Sequence, residues 1–156
     1  MKNKALGLWL TCFILLGCSP SPEQIYMSEL SGSWSSKNAV VFHVNSTLQN
    51  EEFSDAYLVL RTNSHYPYQE LSLSIVLENL KSKAKQQENI RVRVTDPRGR
   101  WKGKGFGEVK ELHYFYRKLP AGSYRVAIVH KMPREVLPGI EDLGMKLKTV
   151  SSSDGK

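Results

Sequence analysis

Chemistry in this 156-residue chain would have to come from four histidines, a glycine-rich stretch, its serines and acids, and two cysteines. His43, His65, His113 and His130 lie in four separate segments. No H-x-x-x-H pair and no free cysteine accompany them, so no metal site is expected. The stretch "GRWKGKGFGE" carries Gly99, Gly103, Gly105 and Gly107. It matches neither G-x-x-x-x-G-K-S/T nor G-x-G-x-x-G, and no helical pattern follows it, so it cradles no phosphate. It reads as a turn leading into a glycine-rich strand. Arg98, Arg100, Lys102 and Lys104 are then either a solvated turn or a basic patch for an anionic headgroup or glycan. The serines include no G-x-S-x-G elbow. The acid pairs Glu51-Glu52 and Glu141-Asp142 sit among turn residues. The expectation is a non-enzyme without cofactor.

One side chain has a definite reaction in prospect. Leu15-Leu16-Gly17-Cys18 closes an apolar run, Ala5 to Leu16, preceded by Lys2 and Lys4. That is a secretory signal pattern. At about 20 residues a helix spans the hydrocarbon core, and this run falls well short. Its end resembles a bacterial lipobox, with leucine three positions before the cysteine and glycine one before. In that class the thiol of Cys18 takes a diacylglyceryl group, cleavage follows Gly17, and the new amine is acylated. Each buried methylene contributes about 0.8 kcal/mol, so two or three chains hold firmly. Pro20 and Pro22 keep the following residues out of helix and sheet centre, which makes them a tether. Ser19 after the cysteine permits transport to the outer membrane, with the domain facing the periplasm.

Cys12 leaves with the signal peptide and Cys18 carries lipid, so the exported part has no disulfide and depends on its core. Loss of residues 1–17 leaves 139 residues, enough for one domain, and lowers the formal charge from +7 to +5. That balance favours solubility and anionic surfaces over nucleic acid, which an exported anchored protein does not meet.

Period-two patterning must supply the scaffold. Leu71, Leu73, Ile75 and Leu77 alternate with Ser72 and Ser74; Val92 and Val94 with Arg91, Arg93 and Thr95. Tyr124, Val126 and Ile128 alternate with Arg125 and Ala127; Met145 and Leu147 with Lys146 and Lys148. Such alternation marks half-buried strands. "AVVFHV" (39–44) and "AYLVLRT" (56–62) are more continuously apolar and read as central strands, and "ELHYFYR" (111–117) as an aromatic one. The stretch 78–90 is polar and reads as an exposed loop or short helix. Turn residues separate these segments at 45–46, 63–64, 96–99 and 120–123. In "LPAGSYRV" Gly122 relieves a turn and Tyr124 puts its ring inside. The expected fold is all-β, a single-domain antiparallel β-sandwich of about seven to nine strands. Its organisation is a cleaved signal peptide (1–17), a lipidated tether (18–26), the sandwich (27–150) and a disordered tail (151–156).

Two further stretches, "LRTNSHYPYQELSLSI" (60–75) and "LPGIEDLGMKL" (137–147), resemble the GldH family of gliding motility lipoproteins of Bacteroidetes. Arg61, Tyr66-Pro67-Tyr68 and Leu71 match the first family segment; Asp96, Gly99 and Trp101 match a second; Gly122 and Tyr124 a third. Leu137, Gly139, Ile140, Asp142 and Gly144 match the last, and Trp34 with Phe42 fits the family's early pair. Glu70 replaces the usual asparagine. Pro133 follows Met132 where arginine is usual, so any contact of that arginine falls to Arg134 or is lost. The resemblance implies an envelope-anchored accessory protein of the gliding apparatus and its associated secretion machinery, binding other envelope proteins. Arg61, Tyr66, Tyr68, Trp101 and Arg134 are the candidate contact residues. Pro67 holds Tyr66 out of helix and would present two tyrosines on a rigid segment, suited to a protein partner or to sugar stacking. A lipid-anchored glycan-binding sandwich is therefore the alternative.

Overall fold

The computed structural model describes residues 23–46, 53–105 and 107–149. Cys18, the signal segment and the expected tail lie outside them. The described residues form ten strands: β1 (Glu23–Glu29), β2 (Ser33–Ser35), β3 (Val40–Ser46), β4 (Phe53–Thr62), β5 (Glu70–Asn79), β6 (Lys85–Arg93), β7 (Lys110–Pro120), β8 (Gly122–His130), β9 (Val136–Pro138) and β10 (Ile140–Thr149). They make two four-stranded antiparallel sheets, ordered β1-β10-β4-β7 and β3-β8-β5-β6, and a small β2-β9 ribbon.

The alternating apolar residues meet between the two large sheets. Leu58, Leu60, Met145 and Leu147 face Leu71, Leu73, Ile75, Val126 and Ile128, all buried in one cluster. Each such side chain contributes about 1.5–3 kcal/mol by leaving water. Tyr116 and Arg117 of β7 bond Glu88 of β6 at 2.5 and 2.9 Å and tie the sheets along one side. At the β7–β8 corner the Tyr124 hydroxyl donates to the Pro120 carbonyl at 3.0 Å.

Four expectations change. The strand count exceeds nine because β2 and β9 have three residues each, too few to show a period. The first strand starts at Glu23, inside the segment read as tether, where Gln24 to Ser28 pair with β10. The polar stretch 78–90 is neither loop nor helix: β5 runs to Asn79, a turn follows, and β6 begins at Lys85. The Asn79 side chain accepts the Lys81 and Ser82 amides at 2.9 Å and fixes that turn. Polarity misled here because β6 is an edge strand with most of its side chains in water. Conversely β3 is an edge strand rather than a central one, and its Val41 points outward.

Candidate functional site

The five candidate contact residues do not converge on one surface. Three of them form an aromatic cluster at the end of the sandwich where β4 crosses to β5. Tyr66 is 4 % exposed and its hydroxyl donates to the Glu70 carbonyl at 2.8 Å. Its ring lies 5.9 Å from Tyr68, edge to face, and 5.9 Å from Trp101. Burial pushes the Tyr66 phenol well above its usual range, with Tyr68 adding to the shift. Tyr68 and Trp101 are half-buried against the core. The expected presentation of two tyrosines is thus corrected. Tyr66 instead points inward as part of the core, and Tyr68 and Trp101 are only partly exposed.

The backbone explains why the ring cluster sits there. Gly139 adopts φ +82°, and a Cβ on it would run into the Tyr66 amide and the His65 carbonyl carbon. Asn63 N donates to the Gly139 carbonyl at 2.9 Å, Gly139 N to Gly32 at 2.8 Å, and the Asn63 side chain bonds Glu141. The two stretches 60–75 and 137–147 are therefore direct neighbours, paired as β4 and β10 with Leu60 opposite Leu143 and Arg61 opposite Asp142. Much of that sequence signature builds one structural junction.

Arg61 lies apart, on the outer face of the β1-β10-β4-β7 sheet. Its guanidinium reaches Glu111 at 2.7 Å and Asp142 at 3.7 Å. Glu111 also meets His113 at 2.7 Å. The hydrogen bonds from His113 and Arg61 hold the Glu111 carboxyl below its usual range, and the bond to Glu111 raises Arg61. "ELH" places Glu111 and His113 on one face by period two, but their position opposite Arg61 depends on a strand register that sequence does not show. Arg134 stands exposed in the loop before β9, with no bond to the other four.

The basic stretch is a turn built by Asp96. Its Oδ1 accepts the Arg98 and Arg100 amides at 2.8 and 2.9 Å, and its Oδ2 pairs with the Arg100 guanidinium at 2.8 Å. The Arg100 amide is the main cause holding the Asp96 carboxyl below its usual range. Gly103 then lets the chain pass close to β7, where a Cβ would lie 2.8 Å from the Glu111 carbonyl oxygen. Beside that crossing lies an open cleft of about 470 Å³ lined by Lys102, Lys104, Glu111, Leu112 and His113. Among the described residues no three His, Cys, Asp or Glu side chains are grouped to hold a metal ion. His130, not singled out by sequence, is buried, meets Trp34 edge to face at 5.1 Å and bonds the Trp34 carbonyl at 3.0 Å. Burial pushes its imidazole below the usual range.

The family model described as "GldH lipoprotein" matches residues 25–147. The chain belongs to the GldH lipoprotein family. It is 26 % identical over 159 residues to a "Gliding motility lipoprotein GldH homolog" of Christiangramia forsetii, covering 94 % of this chain and 97 % of that one. It is 25 % identical over 157 residues to "Gliding motility lipoprotein GldH" of Flavobacterium johnsoniae, covering 95 % and 97 %. Among solved structures, the Yersinia pseudotuberculosis-derived mitogen aligns over 86 % of this chain and 93 % of that one. Its TM-score of 0.35 and identity of 11 % carry no further meaning here. Membership in this family makes the chain a lipoprotein of the cell envelope associated with gliding motility.

Proposed function

We propose that the chain is a non-enzymatic protein-binding module, anchored through acylated Cys18 in the outer membrane with its domain in the periplasm. It serves the gliding motility and associated secretion machinery. Family membership over residues 25–147 is the observation that carries this reading. The site geometry agrees with it. Arg61, Glu111, His113 and Asp142 form a partly exposed ion-pair network, and such a network suits a polar contact. Arg61 and Arg134 remain accessible contact residues, while Tyr68 and Trp101 are partly exposed. The glycan-binding alternative loses its main support, since Tyr66 is a core residue and its ring meets Tyr68 and Trp101 instead of solvent.

Affinity capture from detergent-solubilised envelope tests the reading. Stoichiometric recovery of motility or secretion proteins, weakened by Arg61→Ala, supports it. Retention on polysaccharide columns with no protein partner overturns it. The mass of the mature N-terminus tests the anchor separately: acylated Cys18 is expected, and a soluble protein with a free N-terminus elsewhere contradicts it.

A further inference from the structure

The β1-β10-β4-β7 sheet carries a second feature on its outer face, next to the Arg61 network. Strand register sets Ile25, Lys146, Tyr57 and Phe115 in one row across the four strands, with Met27, Gly144, Val59 and His113 in the next. Ile25 is 57 %, Phe115 49 % and Met27 39 % exposed. Tyr57 and Phe115 meet edge to face at 5.5 Å, and the Lys146 ammonium lies 5.2 Å from the Tyr57 ring centroid. Gly144 has no side chain because Met27 lies across it: a Cβ there would strike the Met27 sulfur and approach the Tyr26 carbonyl oxygen to 2.7 Å. Ile25 and Met27 at one edge of the sheet and Phe115 at the other thus expose apolar groups on one face, and exposed apolar surface of this kind marks an interaction surface.

The position of β1 points to the occupant. Four residues lie between Cys18 and Glu23, so five chain steps give a reach of at most about 18 Å for extended chain. The strand bearing Ile25 and Met27 is therefore held beside the acylated cysteine. Lys118 and Lys148 border the apolar rows at the anchor end, beside the acids Glu23 and Asp55, and Lys146 within the first row reaches Glu23 at 3.7 Å. Aromatic and aliphatic side chains flanked by amines suit the boundary between headgroups and acyl chains. The rings sit at that level, and lysine stems reach back to phosphate.

We infer that the anchor-proximal part of this face, with Ile25, Met27, Tyr57 and Phe115, docks on the lipid leaflet that holds the acyl chains of Cys18, while the Arg61 end of the same sheet tilts clear of the headgroups. The inference deepens the proposed anchoring at Cys18 and rests on it. Docking also orients the molecule: the outer face of the β3-β8-β5-β6 sheet, with Val41, points away from the bilayer.

The mature lipidated protein has no other free thiol, so single cysteines can be placed at exposed positions. Full-length lipidated Ile25→Cys, Phe115→Cys and Val41→Cys, each carrying an environment-sensitive fluorophore, are reconstituted in phosphatidylethanolamine–phosphatidylglycerol vesicles. An interfacial face sinks about 5–10 Å into the headgroup boundary. Labels at 25 and 115 should therefore shift to the blue and be quenched severalfold more than that at 41 by lipids brominated near the acyl carbonyl. Equal, weak quenching at all three positions in an acylated protein overturns the docking face and leaves the anchor standing. Recovery of a protein without acyl chains on Cys18 overturns both. Shielding at 25 and 115 that requires native envelope proteins, or cross-linking between two Phe115→Cys copies, assigns the face to a protein partner or a second copy and overturns membrane docking.

Discussion

Gly139→Ala probes the junction between the two signature stretches, and Gly99→Ala serves as its control. Both glycines adopt the left-handed conformation, at φ +82° and +77°. A residue with a Cβ pays about 1–2 kcal/mol for that conformation. The lost chain freedom of the unfolded state returns about 0.4–1 kcal/mol. Gly99 has nothing within 4 Å of the added carbon, so its substitution should cost about 1.6 kcal/mol or less on those terms. At Gly139 the carbon would enter the His65–Tyr66 backbone, which cannot swing aside as a flexible side chain would. Overpacking of that kind adds about 1–3 kcal/mol. The sum, about 1–4.6 kcal/mol, is a substantial share of the roughly 5–15 kcal/mol that holds such a domain folded. Urea unfolding of residues 19–156 followed by tryptophan fluorescence measures both variants, and Trp34 and Trp101 report the affected end directly. If Gly139→Ala loses no more stability than Gly99→Ala, the segment 137–147 does not press on Tyr66 and the junction is wrongly described.

Ser74 looks wet by alternation, yet it is 3 % exposed and its hydroxyl accepts from the Gln87 amide at 3.1 Å. Ser74→Asp should cost about 1–3 kcal/mol in the same urea assay, since it desolvates a charge and breaks the Gln87 bond, with the cations Arg91 and Lys131 only diagonal neighbours on that face. The His130 Nε2–H donates to the Trp34 carbonyl and its Nδ1 accepts from the Met132 amide at 3.4 Å, a neutral ring. Its depressed folded value means that the unfolded chain binds the proton first. Its contribution is full above about pH 6.5 and falls as pH drops towards the folded value. The acid arm of a stability-against-pH curve should flatten in His130→Gln. Arg61→Ala removes partly exposed ion pairs to Glu111 and Asp142, so stability should fall by about 1 kcal/mol or less. Recovery of envelope partners should drop far more than that, and equal effects on both would make Arg61 merely structural.

Fold class was legible because the period-two signal is strong wherever a strand has one wet face, as in Leu71 to Leu77 and Tyr124 to Ile128. It failed at the edges. The polar run of β6 carried no alternation, β1 followed two prolines and looked like tether, and β2 and β9 were too short to have a period. The candidate site was harder. Local sequence shows that Pro67 stiffens the Tyr66 segment but not which way the ring turns, and that depends on Gly139, which lies more than seventy residues away. The partners of Arg61 depend on the β4–β7 and β4–β10 registers, which are long-range choices. The outer apolar face was hidden for the same reason. Ile25, Met27, Tyr57 and Phe115 lie on three strands, and each alone resembles an ordinary surface residue.

The central claim is that the chain serves the envelope motility and secretion machinery from a lipid anchor. Deletion of its coding sequence in the host, complemented by the wild type or by Cys18→Ala, tests that most directly. The account predicts loss of colony spreading, protein secretion or envelope integrity, restored by the wild type and not by Cys18→Ala. A deletion strain unchanged in all three would contradict it.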